Sequence, residues 1–400
     1  MTSISTNQLQ RLSDLQEIFE AVTYQQKAHK TIKKFEETTI AQVTPDDIVL
    51  FVHQLVEQKI PMTKLKSGIS KLLNVLRKTL DDYPYKEPKR ESFFGICIRN
   101  NEEVISRLNK IRPYIKQINN DNRTDVKSKL INLLSDLQQI SDYYLIKENI
   151  IFPLAEKYLS DYRCIAVMWS IHDDIRRNIN EVIKVLSEDK TDLKRFNRLI
   201  GDIFFDVYAI VFREERLLYP YIEKNIAKEA IEALWNESIR SGFPFVKPQQ
   251  KSSSFEQISN ITESNIDLKT GNLTPEQIIL IFNHLPVDIT YVDENDQVKF
   301  FSTPKTRIFH RTHAVIGRDV HNCHPQESVH VVEEIIDSFR KGEKDVASFW
   351  ITLRDGKKIL IQYFAVRNEQ NEYKGVVEVS QEINEIQKLE GERRILDWHS

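Results

Sequence analysis

The chain has 400 residues, of which 40% are hydrophobic and 29% charged, and its net charge at pH 7 is −3. This composition excludes a disordered chain, and the length predicts two or three domains. The near-neutral charge gives no electrostatic footprint for nucleic acid, and no apolar run approaches the roughly 18–20 residues that span a bilayer. With no secretory signal at its start and three isolated cysteines, the chain is expected to be cytoplasmic.

The first part of the chain is predicted to be helical, because only three of its ten glycines precede residue 242. Residues 1–83 predict several short helices, one of which begins with Thr44 as N-cap and Pro45 at the first helical position. Over residues 84–240, apolar residues recur at three- and four-residue steps in longer segments. This pattern predicts an antiparallel four-helix bundle.

The rest of the chain predicts a linker and a mixed domain. Residues 241–270, which include SGFPFVKPQQKSSS, have no helical period and predict an interdomain linker. Over residues 271–400 we expect a short helix capped by Thr274, a strand–turn–strand unit in ITYVDENDQVKFFS and a helix over residues 326–340. The strands SFWITL, KILIQYFAVR and YKGVVEVS and a charged helix over residues 382–398 follow. This order is typical of a PAS domain with a five-stranded antiparallel sheet.

Several polar residues fall on the apolar faces of the predicted bundle helices. They are Asn101, Glu148, His172 and Glu214, with Glu215 beside the last. Buried carboxylates must be paired, hydrogen-bonded or protonated, so we expect a satisfied polar network that fixes the helix register. The alternatives are a single weak metal site from Glu148, His172, Glu214 or Glu215, or a pocket for a small ligand.

A histidine cluster lies in the predicted PAS domain, at His310, His313, His321, His324 and His330. With Cys323 it includes candidate ligands for a metal or haem, and Cys323, His324 and His330 are the better candidates. The alternative is structural, with His324 bracing the loop before the following helix and His330 partly buried on that helix. Because no GxGxxG, Walker A, GxSxG, HExxH or CxxC motif is present, we do not expect an enzyme.

Longer stretches resemble a known assembly. The segment LPVDITYVDENDQVKFFS and the region around CHPQESVH resemble the PAS domain of bacterial DUF438-type proteins. KENIIFP, VMWSIHDDIR and FREERLLYP resemble their hemerythrin-like (HHE) bundle. The resemblance implies a DUF438-like domain over residues 1–83, a hemerythrin-like bundle over 84–240 and a PAS domain over 271–400.

In hemerythrin-like bundles several histidines and two carboxylates hold a diiron centre. Here His172 is the only histidine between residues 84 and 240, and the second helix offers Tyr143 and Tyr144 where the family has a histidine. The resemblance therefore implies a family member with a degenerate diiron site.

The expected function is sensory or regulatory signalling through binding of a ligand or partner protein to the PAS domain. The alternative is a metal- or haem-dependent protein that senses or handles oxygen, nitric oxide or iron. The apolar residues of segments 274–284 and 382–398 predict a homodimer through the PAS domain and its flanking helices. No nucleic acid or membrane partner is expected.

Overall fold

The computed structural model describes residues 5–24, 28–120, 124–247, 265–309, 311–324, 328–353 and 356–391, without the side chains of 235–241. The chain divides into two compact units, Met1–Lys251 and Ser252–Ser400. Among the described residues the first unit is helical, as predicted, and the second contains the β-strands. Of the helices described, none is both long enough and apolar enough to cross a membrane.

The first helices of the chain are α1 (Thr6–Tyr24), α2 (Ala28–Phe35), α3 (Pro45–Glu57) and α4 (Met62–Asp81). The predicted cap at Thr44 is present, because its hydroxyl accepts the Asp47 N–H at 3.3 Å and the Asp47 carboxylate accepts the Thr44 N–H at 3.0 Å. The same buried carboxylate binds the Arg11 guanidinium at 2.8 and 3.1 Å. The cap of α3 therefore also holds α1 in place.

The bundle, as we call the helices between residues 93 and 225, follows. It comprises α5 (Phe93–Asn120), α6 (Thr124–Leu137), α7 (Ile140–Ile146), α8 (Phe152–Tyr158), α9 (Cys164–Ser187), α10 (Leu193–Arg213) and α11 (Tyr219–Asn225). Helix α5 packs against α6 and α10, and α9 packs against the same two helices. Helices α3 and α4 pack on α9, and one hydrophobic core continues from α1 through the bundle. The described residues before 84 therefore share their core with the bundle.

Two π-helical turns interrupt the bundle helices, Lys147–Ile151 before α8 and Glu214–Leu218 before α11. Each is followed within two residues by a proline, Pro153 or Pro220. Proline lacks an N–H, and its ring clashes with the carbonyl four residues earlier, so the helix widens at this point. The wider turn lets consecutive residues face the same side.

The predicted linker differs from the structure at both of its ends. After α12 (Lys228–Ser241), Phe243 is buried, and the backbone N–H groups of Phe245 and Val246 donate to the Asn100 side chain at 3.3 and 3.1 Å. Residues 242–247 thus pack on the bundle because their aromatic side chains complete its core. Near the other end, β1 (Ile266–Asp267) pairs with β2 (Asn272–Leu273).

The second unit confirms the predicted five-stranded antiparallel sheet. Its strands are β3 (Asp288–Asp293), β4 (Val298–Phe301), β5 (Val346–Thr352), β6 (Lys358–Arg367) and β7 (Tyr373–Glu382), in the order β4-β3-β7-β6-β5. Helix α13 (Pro275–His284) begins with the predicted cap at Thr274. Helix α14 (Val329–Lys341) packs on β7, and its Ile336 and Phe339 join Val292 and Val376 of the sheet in a second core.

The helix predicted over residues 382–398 is wrong in its described part. Strand β7 runs to Glu382, and residues 383–391 contain only the 3₁₀ turn Ile386–Lys388. The Ile383 N–H donates to the Lys358 carbonyl at 2.8 Å, so the chain continues its pairing with β6. Gly391 then takes φ +62°, which ends any right-handed helix. Residues 392–398 lie outside the described residues.

Candidate functional site

The polar residues predicted to converge in the bundle do meet. Asn101, Glu148, His172 and Glu214 are each at most 3% exposed, and Glu215 lies beside them, half-buried. We call these five residues, together with Lys147 and Arg176, the inner cluster. Helix α5, the two π turns and α9 supply its members.

Lys147 and Glu214 form the centre of the inner cluster. The Lys147 Nζ donates to both carboxylate oxygens of Glu214, at 2.6 and 2.7 Å, and lies 3.3 Å from Asn101 Oδ1. It also lies 3.8 Å from the centroid of the Tyr143 ring. The ammonium is almost fully buried, so its contacts are a carboxylate, an amide oxygen and an aromatic face.

The second ion pair of the inner cluster is built on Glu148. One oxygen binds His172 Nδ1 at 2.8 Å, and the other accepts from Arg176 Nη2 at 2.8 Å. The Tyr144 ring stacks on the His172 ring, with centroids 3.8 Å apart. His172 Nε2 has no hydrogen-bond partner, and Glu214 Oε1 is 3.8 Å away from it.

Asn101 joins this interior to the surface. Its amide donates to Glu214 Oε2 and to Glu215 Oε1, both at 3.0 Å. Glu215 and Asn101 line an open groove of about 600 Å³ between α5 and α10. The polar network therefore reaches solvent through Glu215.

The acids of the inner cluster differ in how readily they ionise. Burial disfavours the charged forms of Glu148 and Glu214, but Arg176 and His172 hold the pKa of Glu148 below its ordinary value. Lys147 and His172 do the same for Glu214. Burial instead raises the pKa of Glu215 to about 7, because Asn101 only partly offsets it and the charge of Glu214 adds to it. Glu214 and Glu148 are thus each paired with a side-chain cation, Lys147 and Arg176 respectively.

Lys147 and Arg176 are the members that sequence reasoning missed. A regular helix places consecutive residues about 100° apart, so it would not direct both Lys147 and Glu148 to the centre of the core. The π turn brings both inside, and the available signal was Pro153 six residues later. Arg176 follows His172 by four residues, which puts it on the same helix face.

The donors present do not fit a metal centre. Both oxygens of Glu214 are taken by an ammonium, and those of Glu148 by an imidazole and a guanidinium. In the described part of the chain, no three His, Cys, Asp or Glu side chains are grouped as metal ligands would be. In this arrangement the oxygens of Glu148 and Glu214 are not free to bind a metal ion.

The described histidines of the second unit do not form a group that could hold a metal ion. His313 lies against the Phe301 ring, His321 Nδ1 binds Asp319 at 2.6 Å, and His310 falls outside the described residues. His330 is exposed, which corrects the expectation of partial burial. The inner face of α14 is formed by Val332, Ile336 and Phe339, and His330 lies nearly opposite it.

Of the candidate haem ligands, His324 lines a cavity. Cys323 is half-buried and its thiol lies 3.5 Å from the Asp319 carbonyl oxygen. Burial lowers the pKa of His324 to about 4, with Arg311 also disfavouring its charged form. The cavity has a volume of about 20 Å³, far less than a haem needs, so the haem alternative does not fit.

The cavity beside His324 lies between α14 and the sheet. Val332, Ile335 and Ile336 border it from α14, while Tyr363 and Glu378 border it from β6 and β7. Glu378 accepts from Arg311 Nη2 at 3.2 Å, and Arg311 Nε has no hydrogen-bond partner. The cavity is therefore mostly apolar, and Tyr363 and Glu378 add polar groups on the sheet side beside Val292 and Val376.

Comparisons with known proteins agree with this division. Residues 96–222 match the model of the hemerythrin HHE cation binding domain, and residues 278–384 match that of a PAS domain. No curated protein sequence matches the chain.

Two solved structures are similar to part of the chain. The C-terminal domain of a Streptococcus mutans protein is 30% identical, with 32% of this chain and 98% of that chain covered and a TM-score of 0.31. The PAS domain of a Colwellia psychrerythraea protein is 17% identical, with 28% and 97% covered and a TM-score of 0.22. By its family-model matches, the chain combines a hemerythrin HHE cation-binding domain in its helical unit with a PAS domain in its second unit.

Proposed function

We propose that the chain is a cytoplasmic, non-enzymatic sensory or regulatory protein that binds a small ligand or a partner protein through its PAS domain. The observation that carries this proposal is the cavity between α14 and the sheet. It offers His324, Tyr363 and the Glu378 side chain held by Arg311, all beside apolar groups. A few polar groups in an apolar cavity are the usual composition of a small-molecule site.

The position of the cavity links binding to a movable element. Three residues of α14 border it, and the cavity has room for only one or two waters. A ligand larger than that must displace α14 from the sheet. Occupancy would then change the surface that α14 presents to a partner, which is how binding becomes a signal.

For the helical unit we propose a hemerythrin-like bundle of four helical segments that has lost its diiron site. Lys147 and Arg176 supply the positive charge that the buried carboxylates require. The bundle then serves as a scaffold or docking element, and sensing belongs to the PAS domain. The DUF438 resemblance of residues 1–83 gives this region no further function of its own.

The ligand proposal is tested by native mass spectrometry of the full chain purified from its own host. We expect a bound small molecule in the wild type and its loss in Val332→Phe, which fills the cavity. Val331→Phe is the matched control, because Val331 is the neighbouring residue and is 40% exposed. A wild type without any bound molecule, or a molecule retained in both variants, contradicts a ligand in this cavity.

A further inference from the structure

Arg213, at the end of α10, is a buried charge without a counter-charge. It is 5% exposed, and its Nη2 donates to the Ser70 hydroxyl of α4 at 2.9 Å. Its Nε has no hydrogen-bond partner, and within the described ranges no carboxylate is paired with it. Burial lowers the pKa of Arg213 to about 10, and the charge of Asp206 only partly opposes this.

Such a group is costly to keep in a folded core. A buried cation with one neutral hydrogen bond loses its hydration and receives no ionic compensation. Arg213 also borders an internal apolar cavity of about 30 Å³, in which a water could hydrogen-bond the guanidinium but would bring no negative charge. The missing component is an anion.

Arg213 also lines an open groove of about 350 Å³ between α4, α5 and α10. Two more guanidinium groups line it, Arg77 from α4 and Arg112 from α5. Arg77 is already paired with the Asp81 carboxylate at 2.8 Å and lies 4.0 Å from the centroid of the Phe212 ring. Arg112 lies 5.6 Å from the centroid of the Phe204 ring. The wall of this groove thus combines positive charge with aromatic surface.

The aromatic wall is open to solvent. Phe205 is 50% exposed and Tyr208 38% exposed, although both are large side chains on α10. These exposed rings lie beside Arg213 and Arg112, neither of which has a carboxylate partner among the described residues. Such a surface suits a flat, negatively charged molecule.

We propose that this groove binds a small organic anion. Its carboxylate or phosphate group pairs with Arg213 and Arg112, and its flat apolar part lies against Phe204, Phe205 and Tyr208. This site is separate from the PAS cavity and does not depend on the function proposed for it.

Calorimetric titration of the full chain tests the proposal with simple probes. We expect benzoate or phenyl phosphate to bind, the better of the two defining the anionic group. Inorganic phosphate should bind more weakly because it lacks the ring, and the neutral analogue benzyl alcohol should not bind. Absence of binding by both aromatic anions at millimolar concentration overturns the proposal.

Substitutions assign the site. Arg213→Gln and Arg112→Gln should each weaken binding of the better probe by about tenfold or more, as expected for a lost charge-assisted hydrogen bond. Arg198→Gln, an exposed residue of the same helix α10, should leave it unchanged. If Arg213→Gln does not fold, Arg112→Gln at the groove rim decides alone. If wild type, Arg112→Gln and Arg198→Gln bind the probe with equal affinity, the anion binds elsewhere and the proposal for this groove is wrong.

Discussion

Lys147 determines the charge balance of the bundle core. Without it, Glu214 would keep only the amide of Asn101, the hydroxyl of Tyr219 at 3.3 Å and the more distant His172. None of these provides a fixed positive charge at contact distance. The Lys147 ammonium provides this charge, and it also contacts the Tyr143 ring.

Replacement of Lys147 by methionine should therefore destabilise the fold strongly. Methionine keeps the apolar stem but leaves Glu214 as an unpaired buried charge, a loss of roughly 3–5 kcal/mol in the free energy of unfolding. Urea unfolding of the full chain, followed by circular dichroism, measures it. Lys157→Met on the exposed side of α8 is the control. The ion pair is unimportant if both variants unfold at the same urea concentration.

Glu215 should give the protein a pH-dependent stability. Its pKa is raised to about 7, so the folded state holds this proton to higher pH than the unfolded chain does. Stability is thus full at low pH and falls as the pH rises from the ordinary carboxyl range through about 7. The free energy of unfolding of Glu215→Gln, relative to that of wild type, should therefore increase by about 1–2 kcal/mol from pH 5 to pH 8. This value is reduced for the partial exposure of Glu215.

Denaturant unfolding of both proteins at the two pH values measures this difference. Glu102→Gln controls for the removal of one negative charge. Glu102 is an exposed residue of α5 that lines the groove beside Glu215. A stability difference between Glu215→Gln and wild type that does not change with pH would show that Glu215 ionises as freely as a surface residue.

At the scale of elements, strand β5 is the most exposed part of the sheet. It lies at the sheet edge, and its Val346, Phe349 and Trp350 are 50%, 37% and 67% exposed. Helix α13 adds Leu280 and Ile281, each nearly half exposed. An apolar edge strand exposes unpaired backbone N–H and C=O groups together with apolar side chains.

We therefore expect the chain to form a homodimer through this part of the PAS domain. Light scattering after size-exclusion chromatography should give a dimer for wild type and a monomer for Trp350→Glu, which places a charge on the edge strand. Tyr158→Glu, a comparably exposed aromatic residue of α8, should remain dimeric. A wild type that stays monomeric at tens of micromolar excludes this interface.

Helices and strands with a clear period were predictable, and departures from the period were not. The cap at Thr44 and the strands of the sheet follow from local chemistry, which the sequence displays directly. The π turns break the 3.6-residue period by one residue, so the inward position of Lys147 is invisible to a pattern that assumes a regular helix. The charged segment after Glu382 has helical spacing, but backbone pairing with Lys358 prevails over it.

At the scale of the whole molecule, the sequence says least about which helices pack together. An apolar helix face shows that something packs against it, but not which element does. Helices α1, α3 and α4 therefore looked like a domain of their own, although they complete the core of the bundle. For the same reason the sequence does not show the groove around Arg213, which forms where α4, α5 and α10 meet.

Metal removal should leave the whole molecule intact. Since Lys147 and Arg176 already neutralise the buried carboxylates, EDTA or an iron-specific chelator should not change the melting temperature of the full chain. Differential scanning calorimetry, with elemental analysis for iron and zinc before and after treatment, is the measurement. A clear drop in the melting temperature together with the release of a stoichiometric metal would contradict the proposed loss of the metal site.

The Lys147 cation is part of the chain and not a bound ion, which affects how folding depends on conditions in the cell. A bundle stabilised by a bound ion gains stability in proportion to the logarithm of the free ion concentration, and its yield in the cell follows the supply of that ion. A cation that is part of the chain does not depend on such a supply. If the diiron site is lost as proposed, we expect the yield of folded protein to be the same in iron-starved and iron-rich cells.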